Sequence, residues 1–132
     1  MPHQPAASCP CVSDDPAVAK EALRKAAATD TLVDESHFRV TIRRCPLCGQ
    51  HFLHIFCERV DWADGDDPQA WITAPITEGE THTLRATNIA ADEDYLLRAL
   101  PGTRRFLHRD APKGSPETLV WLHDTLFIPA HD

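Results

Sequence analysis

Apolar and polar residues alternate along residues 37–44, HFRVTIRR. Phe38, Val40 and Ile42 fall on one side of an extended chain and polar residues on the other, which predicts a half-buried β-strand. The next run, HFLHIFCERV at 51–60, is apolar on both sides and predicts a central strand. Because only a short loop joins the two runs, we predict that they pair as a hairpin.

Other apolar runs predict further strands. They are QAWITAPI (69–76), RRFLH (104–108), TLVWL (118–122) and TLFIP (125–129). Pro75 lies near the end of the first run and indicates an edge strand or a bulge, because proline cannot donate a hydrogen bond to a sheet. The last three runs supply two or three strands, and His123-Asp124 between the final two predicts a tight turn.

Two segments predict helices. Asp15 can cap a helix by accepting a backbone N–H, and Pro16 loses no hydrogen bond at the first helical position. This helix is predicted to run to about residue 28. The second segment, ADEDYLLRALPG, predicts a short helix that is capped by Asp92 and stopped by Pro101-Gly102.

Residues 77–91 carry conflicting signals. Thr77 and Glu80 have the spacing of a capping box, but Gly79 and the following threonines are poor helix formers, so this segment stays unassigned. The elements together predict an α+β fold, with one or two helices packed on an antiparallel sheet. The length of 132 residues suits a single domain.

The composition limits the classes of partner. With a formal net charge of −7, the chain would repel phosphate groups unless its Lys and Arg residues were strongly clustered. The only adjacent arginine pairs are Arg43-Arg44 and Arg104-Arg105, which are too small to outweigh the acidic total, so we do not expect binding to nucleic acid. An acidic surface favours a basic protein partner, or it serves solubility alone.

No run approaches the roughly 18 apolar residues that span a bilayer, so no membrane association is expected. The stretch AASC at 6–9 ends like a lipoprotein signal but lacks the positive start and the apolar run that such a signal needs. We therefore expect a cytoplasmic protein. Five cysteines, an odd number, fit reduced thiols and metal ligation better than a disulfide framework.

Two of the cysteines stand in the turn Cys45-Pro46-Leu47-Cys48-Gly49. A Cys-x-x-Cys turn can place both sulfurs on one metal ion, with backbone N–H groups directed at the thiolates. Gly49 suits the positive φ that such a turn often requires. A thioredoxin-like redox motif would instead open a helix, whereas this turn leads into a β-rich run.

This turn resembles the metal-binding knuckle of rubredoxins and zinc ribbons. With Val60-Asp61-Trp62 and Gly65-Asp66-Asp67 downstream, the chain also resembles small uncharacterised bacterial proteins in which a Cys-Pro-x-Cys-Gly knuckle precedes an IDW…GDD segment. Some small acidic bacterial proteins of this size are immunity proteins that neutralise basic toxins. The likeness of the turn implies metal binding at the tip of the hairpin and carries no implication about activity.

A knuckle supplies two ligands, and the strand after it does not supply the others. At about 3.3 Å per residue from His51, His54 lies about 10 Å away and Cys57 about 20 Å away. We therefore expect Cys57 to be a buried core thiol, as free cysteines usually are.

The proline-rich tail, residues 1–13, is predicted to be irregular, and two cysteines are its most distinctive feature. Metal ligation would attach this tail to the fold. We predict a zinc site with these ligands: Cys9, Cys11, Cys45 and Cys48. A set in which His51 replaces one tail cysteine is the alternative. Four thiolates leave zinc no open position for water, so the site would be structural.

The segment DWADGDDPQAW places aspartates around a glycine but lacks the spacing and the distal glutamate of a calcium-binding loop, which favours a solvated turn. Trp62 and Trp71 flank it, and each belongs either to the core or to a binding surface. We predict a small, non-catalytic zinc protein that binds another protein through this acidic surface, as an immunity-type or adaptor protein does. The alternative is a thiol oxidoreductase or a metal-dependent enzyme acting at Cys45 and Cys48.

Overall fold

The computed structural model describes residues 9–86 and 93–132. Its strands are β1 (Ala27–Glu35), β2 (Phe38–Arg44), β3 (His51–Glu58), β4 (Gln69–Ile76), β5 (Thr103–Ala111) and β6 (Thr118–Thr125). They form one antiparallel sheet in the order β1-β2-β3-β4-β5-β6. The helices are α1 (Pro16–Arg24), α2 (Glu78–Ala86) and α3 (Glu93–Arg98), and a 3₁₀ turn covers Pro10–Val12.

The predicted α+β class, with helices packed on an antiparallel sheet, is confirmed. The predicted hairpin is confirmed as well: β2 and β3 pair from Phe38 opposite Cys57 to Arg44 opposite His51. Within the described ranges, no helix is long and apolar enough to cross a membrane. The predicted cap Asp92 lies outside the described residues.

The predicted end of the first helix was wrong. Asp15 caps α1 by accepting the N–H of Ala17 at 3.0 Å, as predicted, but the helix ends at Arg24 and β1 begins at Ala27. The register of β1 against β2 shifts at two points, between Ala28 and Asp30 and again further along. Such irregularities interrupt the two-residue alternation by which a strand is recognised. Strand β1 was missed for that reason.

The predicted strand TLFIP and the turn before it were also wrong. Strand β6 continues through His123 and Asp124, which pair with Arg105 and Arg104, and it ends at Thr125. The residues that follow are irregular. Leu126 is buried in the main core, so the apolar character of this run reflects burial and not strand pairing.

Strand β4 lies inside the sheet, so Pro75 does not mark an edge strand. It pairs with Phe52 of β3, while the pairing with β5 has already ended at Thr73. Arg104 Nη1 donates to the carbonyl of Pro75 at 3.1 Å, which shows that the polar groups of Pro75 face the β5 side. Its missing N–H therefore removes no sheet hydrogen bond.

The two faces of the sheet carry separate apolar clusters. On one face, the main core of strand residues packs against Leu84 of α2, Leu96 of α3 and Leu126. On the other face, α1 and the 3₁₀ turn pack near one end of the sheet, where Leu23 contacts the cluster around Phe52. The remainder of that second face is left without a covering helix of the described chain.

Helix α2 falls in the segment that the sequence left unassigned. Its capping box is formed: Thr77 N–H donates to Glu80 Oε1 at 2.9 Å, and Glu80 N–H donates to Thr77 Oγ1 at 3.0 Å. Arg104 of β5 forms a bidentate ion pair with Glu80, with Nη1···Oε1 at 2.9 Å and Nη2···Oε2 at 2.6 Å. Both side chains are largely buried, 14% and 17% exposed. These contacts offset the low helix propensity contributed by Gly79.

Replacing Arg104 by methionine is expected to lower the free energy of unfolding by about 2–3 kcal/mol at neutral pH, because Glu80 stays buried without its cation. Burial opposes the ionisation of Glu80, but the hydrogen bonds from Arg104 and Thr77 outweigh it and lower its pKa. The stabilisation is therefore complete above the unfolded pKa of about 4.3 and is lost as the pH falls through the folded pKa. Urea unfolding of both proteins at neutral and at acid pH measures this; a difference that does not shrink in acid would contradict it.

Candidate metal centre

The Cys45–Gly49 turn lies at the tip of the β2–β3 hairpin. It is closed by two backbone hydrogen bonds of 2.9 Å, from Gly49 N–H to the carbonyl of Cys45 and from Cys45 N–H to the carbonyl of Gln50. Gly49 has a φ of 80°, a backbone conformation that side chains with a Cβ rarely adopt. The turn therefore has the shape that the sequence predicted for a metal-binding knuckle.

The structure brings four cysteine sulfurs together. The Sγ atoms of Cys9 and Cys45 are 3.8 Å apart, those of Cys9 and Cys11 are 3.4 Å apart, and those of Cys11 and Cys48 are 3.6 Å apart. All four lie within 4.8 Å of one another and could hold a metal ion. A tetrahedral ion with metal–sulfur bonds of about 2.3 Å requires sulfurs about 3.8 Å apart, whereas a disulfide requires about 2.05 Å. The spacing therefore fits a four-thiolate metal site.

His51 is not part of this group within the described residues, so the alternative ligand set is not the one that the structure assembles. Cys57 is fully buried in the main core, as predicted, and lies outside the cluster. His54 also lies outside it, on the second face of the sheet. The distance along β3 was therefore sufficient to exclude Cys57 and His54 as ligands of the cysteine site.

A short turn directs both tail cysteines toward the knuckle. Val12 N–H donates to the carbonyl of Cys9, and Ser13 N–H donates to the carbonyl of Pro10, each at 3.1 Å. This 3₁₀ turn bends the chain so that the two thiols of the tail face the same point. The described part of the tail thus contains a 3₁₀ turn, where the sequence predicted an irregular segment.

Two residues that the sequence did not single out fasten the end of this tail to the sheet. Arg105 of β5 donates to the carbonyl of Val12 at 3.1 Å and to Asp14 Oδ1 at 3.0 Å. Trp121 of β6 donates its indole N–H to the carbonyl of Ser13 at 2.7 Å, and the Arg105 guanidinium lies 3.8 Å from the centre of its ring. No local signal marks either residue, because the tail is distant from both along the chain.

The cluster is mostly closed to solvent. Cys9, Cys11 and Cys45 are 6%, 0% and 1% exposed, and Cys48 is partly exposed. The buried ring of Phe52 packs against the same cluster. Three of the four thiols are therefore shielded from water.

The turn prepares one thiol for ionisation. Burial opposes the ionisation of Cys45, but the backbone N–H groups of Cys48 and Leu47 donate to its sulfur and lower its pKa. In contrast, burial and the neighbouring thiols raise the pKa of Cys11. Thiolates packed this closely repel one another unless a cation lies between them, so all four become thiolates only around a metal ion.

No family model, no curated protein and no solved structure matches the chain. The cysteine cluster and the surfaces around it must therefore be interpreted from their own chemistry.

The acidic loop, residues 61–67, is ordered by its own aspartates and by one lysine. Asp61 accepts the N–H groups of Ala63 and Asp64 at 3.1 Å. Lys113, from the β5–β6 connection, lies 2.7 Å from carboxylate oxygens of both Asp61 and Asp64. The Lys113 ammonium group therefore offsets part of the negative charge of this loop.

The two tryptophans beside this loop lie in different environments. Trp62 is 89% exposed, which excludes it from the core. Trp71 is partly buried on the second face of the sheet, beneath the guanidinium of Arg109 at 4.1 Å. Because successive loops of an antiparallel meander alternate between its ends, the acidic loop lies at the end of the sheet opposite to the cysteine cluster, about 25 Å away along β3.

Proposed function

We propose that this chain is a non-catalytic zinc-binding protein whose zinc ion is structural, and that it binds a basic protein partner through the acidic loop and Trp62. The observation that carries the first part is the tetrahedral spacing of four sulfurs contributed by two distant segments. A Cys₄ set is typical of structural zinc sites, which have no open coordination position. The proposed compartment is the cytoplasm, where thiols remain reduced and available to metal.

Zinc would hold the tail against the hairpin tip. Cys9 and Cys11 come from the tail and Cys45 and Cys48 from the knuckle, so one ion would join two segments that are far apart in the sequence. This role resembles that of the knuckles in rubredoxins and zinc ribbons. Iron binds similar thiolate sets, and the two metals are distinguished by elemental analysis and by the visible absorption of ferric thiolates.

The exposed Trp62 supports the second part of the proposal. A tryptophan exposed to 89% has no role in the core, and tryptophan is one of the residues that most often dominate the energy of protein interfaces. It is surrounded by Asp61, Asp64, Asp66 and Asp67, of which Asp64 and Asp66 are exposed. A partner with a basic rim around an apolar pocket would complement this surface. An immunity-type protein that neutralises a basic toxin is one concrete form.

The test is to mix the chain with basic proteins encoded beside it and to measure affinity by titration calorimetry. Replacing Trp62 by alanine is expected to weaken the binding by about 30-fold or more, the effect of losing a dominant interface residue. The affinity of the wild type is expected to fall as salt is added, because exposed charges are screened. Leu47, which is 72% exposed at the opposite end of the sheet, provides the matched control, and Leu47→Ala should leave the affinity unchanged.

Two outcomes would contradict the partner proposal. One is the absence of binding at micromolar concentration for every such protein. The other is a complex weakened by Leu47→Ala and not by Trp62→Ala. If the purified protein contained no metal and Cys45 and Cys48 oxidised reversibly, this result would favour the oxidoreductase alternative and contradict the structural zinc.

A further inference from the structure

A cavity of about 200 Å³ lies on the second face of the sheet, at the edge of α1. Lys20, Leu23 and Arg24 of α1 form one wall, and side chains of β2, β3 and β4 form the floor. Trp71 and His54 belong to that floor. The cavity is separate from the cysteine cluster and from the acidic loop, and neither part of the proposed function uses it.

The lining of this cavity is cationic although the chain as a whole is acidic. Four basic side chains line it, and no Asp or Glu does so among the described residues; the four are Lys20, Arg24, Arg43 and Arg109. Arg24 is paired with Glu21 at 2.6 Å, and Arg109 with Glu117 at 3.0 Å. For Lys20 and Arg43, the part of the chain that the structure describes provides no carboxylate within 4.0 Å. The cavity therefore holds uncompensated positive charge.

Arg43 is the most informative of these cations. It comes from the polar side of β2, is half-buried, and donates its Nε to Thr41 Oγ1 at 3.2 Å. Burial lowers its pKa, as expected for a guanidinium that is removed from water without a carboxylate partner. A half-buried charge of this kind is stabilised when an anion enters beside it.

Neutral hydrogen-bonding groups adjoin the cations. His54 is bonded through Nδ1 to Thr73 Oγ1 at 2.9 Å. Burial, with Arg43 nearby, lowers the pKa of His54 to about 3, so its ring is uncharged at neutral pH. Arg109 lies over Trp71, and its Nε is buried without a hydrogen-bond partner in the described chain. The lining therefore combines the cations with uncharged polar groups.

The rest of the lining is apolar and suits a flat ring. Trp71 adds an aromatic side chain to the lining, and the other large apolar side chains are Leu23, Leu107 and Leu119. An apolar cavity of about 150 Å³ is large enough to admit benzene. The present volume of about 200 Å³ therefore accommodates one ring together with a carboxylate group.

We propose that this cavity binds a small aromatic carboxylate, with the carboxylate held by Arg43 and Lys20 and the ring packed between Trp71 and the leucines. A planar guanidinium can hold a carboxylate through two parallel hydrogen bonds, which gives orientation as well as charge neutralisation. The ligand class thus follows from an anion site and an apolar slot that adjoin each other.

The experiment is a calorimetric titration of the zinc-loaded protein with phenylacetate, accompanied by nuclear magnetic resonance of the tryptophan indole groups. We expect saturable binding below about 1 mM and a shift of the Trp71 indole signal. Arg43→Met should weaken binding by about tenfold or more, because it removes a charge-assisted hydrogen bond and leaves only an unbranched apolar side chain. Lys20→Met should weaken binding several-fold, and this variant can be used if Arg43→Met fails to fold.

The matched control is Lys25→Met, which removes the same charge just beyond the end of α1 from a side chain that does not line the cavity. It should leave the affinity unchanged. Benzyl alcohol, a neutral molecule of similar shape, and inorganic phosphate, an anion without a ring, should both bind more weakly than phenylacetate. The proposal would be overturned if phenylacetate showed no saturable binding. It would also be overturned if the Lys20→Met and Lys25→Met variants bound phenylacetate equally well, or if the wild type bound benzyl alcohol as tightly as phenylacetate.

Discussion

Replacing Cys9 and Cys11 together by serine is expected to abolish stoichiometric zinc binding and to destabilise the protein by on the order of 10 kcal/mol at saturating zinc, the scale of structural zinc sites. Two of the four sulfurs are lost, and the remaining pair cannot close a tetrahedral site. Because the free energy of unfolding of a small domain is itself about 5–15 kcal/mol, we expect the variant to be largely unfolded or to retain only a loosened sheet. Elemental analysis and thermal unfolding, with and without a chelator, measure both effects.

Two matched variants separate ligation from the general effects of mutation. Cys57→Ala removes a fully buried thiol outside the cluster, and His51→Ala removes the side chain beside the knuckle. Both should keep one zinc per chain, and chelation should destabilise them as it does the wild type. If the Cys9/Cys11 double variant kept its zinc, or if His51→Ala lost it, the ligand set would be different from the one we propose.

Replacing Phe52 by alanine is expected to lower the free energy of unfolding by about 3–5 kcal/mol, because it leaves a cavity between the sheet and the cysteine cluster. The ring is fully buried among residues of the 3₁₀ turn, α1 and the knuckle. Phe56 lies on the same face of β3 but is only half-buried, so Phe56→Ala should cost less than half as much. Denaturant unfolding of the zinc-loaded variants measures the difference, and equal losses would contradict the packing described for Phe52.

The hairpin and the knuckle could be predicted because their signals are local. Phe38, Val40 and Ile42 alternate with polar residues, and all three are buried. The cysteine turn has a fixed spacing and a glycine where positive φ is needed. Likewise Asp15 followed by Pro16 marked the start of α1 correctly, because a cap is decided by adjacent residues.

Elements whose signals are overridden by distant contacts could not be predicted in the same way. Residues 26–28 are alanines that favour a helix, but the chain there turns into β1 and pairs with β2. Pairing along an open strand edge outweighs helix propensities of a few tenths of a kcal/mol per residue. In α2 the reverse occurs, since the contact from Arg104 to Glu80 supports a helix that Gly79 disfavours.

The candidate sites also differ in whether local sequence signals or contacts between distant segments define them. The four cysteines were found because thiol pairs are rare, and the structure brings them together. The cationic cavity was not found, since Lys20, Arg43 and Arg109 come from α1, β2 and β5 and no two of them are close in the sequence. The same holds for Arg105 and Trp121, whose contacts with residues 12–14 depend on the complete sheet.

The proposed four-thiolate zinc site is best tested by X-ray absorption at the zinc edge, on protein purified without added metal. We expect one zinc per chain with four sulfur neighbours at about 2.3 Å and no nitrogen or oxygen neighbour, which is a closed structural site. A shell that includes nitrogen or oxygen at about 2.0–2.1 Å would mean that histidine or water replaces a cysteine and that the site is not the one described. The absence of any bound metal would contradict the claim outright.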